Sequence, residues 1–180
     1  MKKLHYFSIS ILLAFTLTFC SDDVSTGPDL DDLGNVEFSV TGDIEANVEG
    51  IAQFGSVGDG TSWEISFTDR GAQTFSLVIS KIDTEGTEQP SPGVYEIGSS
   101  PIADDEFMSV YTDLQSEAAG GTEYSTKHGD TGGTLEINES SADQVSGTFS
   151  FTAVALDNET NEVAGEIEVV SEEFSAVPFE

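Results

Sequence analysis

From residue 36 onward apolar side chains recur at every second position, and no stretch sustains the 3.6-residue repeat of an amphipathic helix. The run 145–156 shows this best. Val145, Phe149, Phe151, Ala153 and Ala155 fall on one phase, and Ser146, Thr148, Ser150 and Thr152 fall on the other. A chain that alternates in this way can hide its apolar faces only by curling a sheet on itself or stacking two sheets.

The same alternation divides the rest of the chain. Phe38, Val40, Ile44, Ala46 and Val48 share a phase opposite Glu37, Ser39, Thr41, Glu45 and Asn47, giving one long strand or a pair broken near Gly42-Asp43. A short apolar piece at 51–54 precedes a glycine-rich loop at 55–60. Trp63, Ile65 and Phe67 then mark a strand that turns at Asp69-Arg70-Gly71. Phe75, Leu77 and Ile79 form its partner, with Val78 and Ile82 suggesting cover on both faces. Residues 84–93 hold turn chemistry, 94–97 a short strand and 107–114 another. Residues 116–133 read as mostly loop, with a candidate strand at 123–126, and Leu135 and Ile137 mark the next strand. Asp157-Asn158-Glu159-Thr160-Asn161 is a polar hairpin loop. Val163, Gly165, Ile167 and Val169 return from it, and 174–179 supplies a last edge, where Pro178 fits an edge or an end. The expectation is one all-β antiparallel domain over residues 36–180, of about nine to eleven strands. Barrel and sandwich both fit, and the long strands at 38–48 and 144–156 favour the barrel.

The N-terminus is of a different kind. Lys2 and Lys3 precede an apolar heart at residues 9–19, about 11 residues against the ~20 needed to span a bilayer, so it reads as a secretory signal rather than a spanning helix. Leu17-Thr18-Phe19-Cys20 resembles a bacterial lipoprotein signal, with Leu three residues before the Cys. Phe19 stands where Gly, Ala or Ser is usual, and lipoproteins of Bacteroidota accept the looser motif. The resemblance implies cleavage after residue 19 and a diacylglycerol thioether on Cys20. It also implies that Ser21, Asp22 and Asp23 form a sorting signal to the outer leaflet of the outer membrane; a solvated spacer is the alternative. Residues 20–35 are poor in apolar side chains and read as a disordered acidic tether.

A second resemblance lies in the C-terminal half. Gly133-Thr134-Leu135-Glu136-Ile137, Val145-Ser146-Gly147-Thr148-Phe149-Ser150-Phe151-Thr152-Ala153 and Phe174-Ser175-Ala176-Val177-Pro178-Phe179 carry it, with Pro92-Gly93-Val94-Tyr95 upstream. These segments resemble small uncharacterised β-rich lipoproteins of Bacteroidota and related Gram-negative bacteria. The resemblance implies fold and location, and no activity comes with it.

Charge narrows the partners. Five basic residues face 34 acidic ones for a formal charge of −29, and loss of Lys2 and Lys3 with the signal would make the remainder more negative still. Nucleic acid needs a basic footprint and is excluded, and anionic headgroups would repel the domain, so acyl chains must hold it. Three readings of the acidity stand: adaptation to salty surroundings, binding of divalent cations such as calcium, and plain solubility. The lone Cys20, once acylated, leaves no thiol for a disulfide, a redox pair or a zinc site.

Candidate chemistry is sparse. Ser125, His128 and Asp130 sit within one Gly-rich loop, whereas hydrolytic triads are assembled from separate segments. Asp29-Leu30-Asp31-Asp32-Leu33-Gly34 begins like an EF-hand loop but has Leu33 and Val40 at its fifth and twelfth positions. Asp104-Asp105-Glu106 and Asp157-Asn158-Glu159 fit solvated turns or weak calcium loops. Glu172-Glu173 fits an outward pair or a guard on an edge strand. Trp63, Tyr95, Tyr111 and Tyr124 line either a ligand mouth or the core. The function expected is a non-enzymatic, lipid-anchored binding or accessory module without a cofactor. The alternatives are a carrier of a small apolar ligand and a carboxylate-based hydrolase, and no facing pair of acids is singled out for the latter. Self-repulsion on this scale is felt most at low ionic strength, where the screening length reaches ~30 Å at 0.01 M. The melting temperature should therefore rise from low to molar NaCl; a flat or falling curve would remove the salt-adaptation reading.

Overall fold

The structure is a computed structural model, and it describes residues 33–82, 88–100 and 106–179. These residues form ten β-strands in one sheet and, among the described residues, no helix. In chain order the strands are β1 (Asn35–Gly42), β2 (Ala46–Val57), β3 (Ser62–Thr68), β4 (Phe75–Ile82) and β5 (Gly93–Ile97), followed by β6 (Glu106–Asp113), β7 (Thr122–Ser125), β8 (Gly132–Ser140), β9 (Val145–Leu156) and β10 (Val163–Pro178).

Pairing runs in a ring. Antiparallel ladders join β1 to β2, β2 to β3, β3 to β4 and β4 to β6. Others join β8 to β9, β9 to β10 and β10 back to β1. Between β6 and β9 the ring forks. β5 pairs in parallel with Glu106 and Phe107 at the start of β6, and antiparallel with β8. β7 instead pairs with residues 110–113 of β6 and meets β9 at Ser125 and Val154. Two strands thus fill the gap over one half of its length and one strand fills the other half. Every strand has a neighbour on each side, but the fork keeps the ring from being a regular barrel. Thr126, fully buried, pins the fork. Its amide donates to the Ser109 carbonyl at 3.0 Å, its hydroxyl donates to the Gly98 carbonyl at 2.7 Å, and the same oxygen accepts the Ser109 N–H at 3.0 Å.

The inward phase builds a single core, led by Trp63, Phe67, Phe107, Phe149, Phe151 and Phe174. Phe149 sits at its centre, with ring centroids 5.1 Å from Phe67, 6.0 Å from Phe174 and 6.1 Å from both Phe38 and Phe151. Its strand neighbour Gly147 is required for a different reason. A Cβ there would lie 1.9 Å from the Glu136 carbonyl oxygen, so only glycine lets β8 and β9 approach this closely.

Strand registers give the ring two ends. Asn35, where β1 begins, shares one end with the turns at 58–61 and 141–144 and with Pro178. The opposite, distal end carries the turns at 43–45, 69–74, 114–121 and 157–162.

Several elements differ from their sequence reading. The long run at 38–48 is indeed broken near Gly42-Asp43. The apolar piece at 51–54 is no separate element but the middle of β2, whose inward phase continues through Ala52 and Phe54. The proposed last edge is likewise part of β10, a strand of 16 residues. Residues 174–176 pair with β9, and Phe174 and Ser175 also pair with β1, so this is no edge. Glu172 and Glu173 therefore guard no edge. They form a bulge, set between the pairs Ser171–Phe149 and Phe174–Gly147. Pro178 does stand at a strand end. Phe149→Ala should cost about 3–5 kcal/mol in urea unfolding, because it leaves a void among four rings. Ser150→Ala, on the outward phase, should change stability by less than about 0.5 kcal/mol.

Candidate functional site

The distal end holds a recess of about 410 Å³. Ile44, Ala46 and Val48 form one wall, each half-buried and packed against the core. Phe75 and Tyr111 form the floor, side by side on β4 and β6, their rings parallel within 8° at 6.2 Å. Glu45, Glu49, Asp69 and Asp113 stand around the opening with Thr74 and Gln115. No Lys, Arg or His lines it among the described residues.

Local chemistry fixes the rim. The Asp69 carboxylate accepts N–H bonds from Gln73 at 2.6 Å and from Thr74, and the Thr74 hydroxyl at 2.6 Å. These bonds close the β3–β4 turn, with Gln73 at φ 50°, and deliver Phe75 to the floor. The Thr74 hydroxyl and amide, more than anything else, hold the Asp69 carboxyl below its ordinary value. Asp113 Oδ1 accepts the Gln115 N–H at 3.0 Å. Across the β1–β2 turn, Asp43 Oδ2 accepts the Glu166 N–H at 2.7 Å, tying that turn to β10.

Behind the floor, Tyr124 stands directly opposite Tyr111 on β7, with ring centroids 6.4 Å apart. Burial first, then the charge of Asp113 and the neighbouring Tyr124, pushes Tyr111 up to about 12. Burial also raises Tyr124, helped by Asp43 and Asp113. Both phenols are neutral hydrogen-bonding groups at physiological pH.

A second depression, about 480 Å³, lies on the outer face of β1, β2 and β10 between Glu37, Glu49 and Glu172, with Val48 and Val170 beneath. Glu37 and Glu49 are directly opposite each other across the β1–β2 ladder.

The four aromatics singled out from the sequence part company. Tyr111 lines the recess and Tyr124 backs it. Trp63 is core, 6.0 Å from Phe54 and 6.2 Å from Phe107. Tyr95 packs on Phe107 at 5.4 Å and its hydroxyl donates to the Ser91 carbonyl at 2.6 Å. The loop of Ser125, His128 and Asp130 shows backbone bonding in place of a relay. Ser125 Oγ accepts the Lys127 N–H at 3.1 Å, and the His128 carbonyl accepts the Thr131 hydroxyl at 2.7 Å. Asp157 closes its hairpin by accepting N–H bonds from Glu159 and Thr160 at 2.9 and 2.8 Å. Glu64, half-buried on β3, is raised by burial alone. Among the described residues no three His, Cys, Asp or Glu gather as metal ligands. Cys20, Ser21, Asp22, Asp23, the acidic run at 29–32, and Asp104 and Asp105 lie outside the described residues.

The sequence reading placed Phe75, Asp69 and Asp113 in a strand, a turn and a strand end without linking them. Only the pairing of β4 with both β3 and β6 brings them to one opening. Comparison with protein-family models, curated proteins and solved structures finds no match.

The Asp69 carboxyl sits lower in the folded chain than its ordinary 3.8, so its stabilisation is complete above that value and disappears as pH falls through the folded-state value. Asp69→Ala should melt below the parent chain at pH 6, and the gap should close as both are followed toward pH 2. A gap that stays constant would show that the turn does not depend on the carboxylate charge.

Proposed function

We propose that this chain is a lipid-anchored β-domain of the outer membrane, displayed at the cell surface, which binds or assists a partner through the distal end of its ring. The observation that carries the reading is the polarity of the fold. The chain enters β1 at one end, and the recess with its acidic loops lies at the other. A tether running from an acylated Cys20 to Asn35 would hold the entry end toward the bilayer, lifting it about 20 Å on average, with the distal end facing away. With 34 acidic residues against five basic ones, attraction to headgroups supplies nothing, and two or more acyl chains suffice for stable anchoring. Among the described residues the core is packed with aromatic rings, which supports a surface-binding module over a carrier.

Cys20→Ser removes the acylation site and nothing of the β-domain. Fractionation of cells expressing the variant should move the folded domain from the membrane to the soluble fraction. If it stays in the membrane, the lipid anchor is wrong and residues 9–19 must be reconsidered as an uncleaved span.

A further inference from the structure

We propose that the distal recess binds an organic cation: a protonated amine or guanidinium carried on an apolar stem. The inference rests on the reading of the distal end as the binding end and names the chemistry that end accepts.

Three independent features of the recess converge on such an occupant. Its volume, about 410 Å³, lies within the ~300–1,000 Å³ of small-molecule sites. Its wall is hydrocarbon, with Ile44, Ala46 and Val48 each only partly covered by the fold, so an apolar stem would complete their burial. Above that wall every charged group is a carboxylate.

Tyr111, 3 % exposed, supplies the hydrogen-bonding group that lines the recess from the core side. A neutral phenol can accept an N–H from an ammonium or guanidinium group. Asp113, two residues further along β6, lines the same opening and supplies the charge. Asp113 uses Oδ1 on the Gln115 amide, leaving its second oxygen for the cation. Asp69 is committed to the β3–β4 turn through both of its oxygens. A bare divalent ion would need several converging oxygens, and no such group of three acids exists among the described residues. One carboxylate, one phenol and a hydrocarbon wall suit a monovalent head on an apolar stem. The strongly negative field of the chain draws cations toward every face, and the recess is where one of them can also bury its stem.

The test is calorimetric titration of the full chain in detergent micelles at 150 mM NaCl, where unspecific attraction is screened within about 8 Å. The probes are phenethylammonium, its neutral counterpart phenethyl alcohol, and the side-chain amine of Nα-acetyl-lysine amide. Saturable one-site binding of a cationic probe, about tenfold tighter than the alcohol, is expected from one charge-assisted hydrogen bond. Asp113→Asn should weaken it about tenfold and Tyr111→Phe about three- to tenfold, with both variants melting as cooperatively as the parent. Glu172→Gln, in the depression on the outer face, should leave it within about twofold. Tighter binding of the lysine amide would identify a protein side chain as the source of the cation, and tighter binding of phenethylammonium a free amine. Equal affinity for amine and alcohol, unsaturable uptake, or equal losses at Glu172 and Asp113 would each overturn the proposal. Because the titration is done in micelles, its failure leaves the anchor untouched, and a failed release of Cys20→Ser leaves the titration untouched.

Discussion

The whole sheet depends on the arrival of its last strand. β10 lies between β1 and β9, paired with both over most of its length, and its final residues turn to run parallel with Gln53 and Phe54 of β2. The first and last strands are therefore neighbours, and the ring has no closure until β10 is in place. Such long-range pairing slows folding, because the entropy of closing the loop is spent before the contacts that reward it form. It also removes exposed edges, which otherwise recruit further strands. The bulge at Glu172 and Glu173 accommodates the fit. Within it, the Ser171 hydroxyl reaches the carbonyls of Glu37 and Glu173 at 2.7 and 2.9 Å, stitching β10 to β1 where the regular register is lost.

Closure has to be achieved against charge. Glu37 faces Glu173 across one ladder and Glu49 across the other, so like charges stand directly opposite on both sides of β1. The opposing force is the aromatic interior. Phe38, the residue next to Glu37, points the other way and packs against Phe75, Tyr111 and Phe149. A single strand thus carries repulsion on its outer phase and ring packing on its inner one. Screening of the outer phase by salt acts on the repulsion alone and leaves the packing unchanged.

What could be read from the sequence follows the range of each interaction. The inward phases of β1, β3, β4 and β9 are local alternations, and the residues assigned to them are the ones buried. The turn at Asp69 and the hairpin at Asp157 were equally legible, since an Asp that binds amides a few residues ahead is written in adjacent letters. Strand continuity was not. Nothing local says that Gly50 and Gly55 lie inside β2, or that two glutamates bulge from β10 without ending it. Those outcomes are decided by a partner strand far away in sequence. The fork at Thr126 belongs to the same class, because its bonds to Gly98 and Ser109 reach back 28 and 17 residues. The recess is less legible still, since its walls come from β2, β4 and β6 and only closure makes them face each other.

The structure also divides the acidity that the composition presents as one property. Asp43, Asp69, Asp113 and Asp157 each accept backbone N–H bonds at the distal end, so their charge shapes turns. Glu37, Glu45 and Glu49 lie exposed on and beside β1 and β2, and their charge contributes to the field around the fold. A uniform replacement of acids by neutral residues would therefore mix two effects of opposite sign. It would relieve repulsion at the glutamates and unlatch turns at the aspartates. Salt separates the two, because screening weakens repulsion between exposed charges over tens of ångströms while a hydrogen bond at 2.6–3.0 Å survives it. The aspartates that shape the loops are thus the part of the acidity a saline surrounding cannot explain, and two of them, Asp69 and Asp113, line the recess.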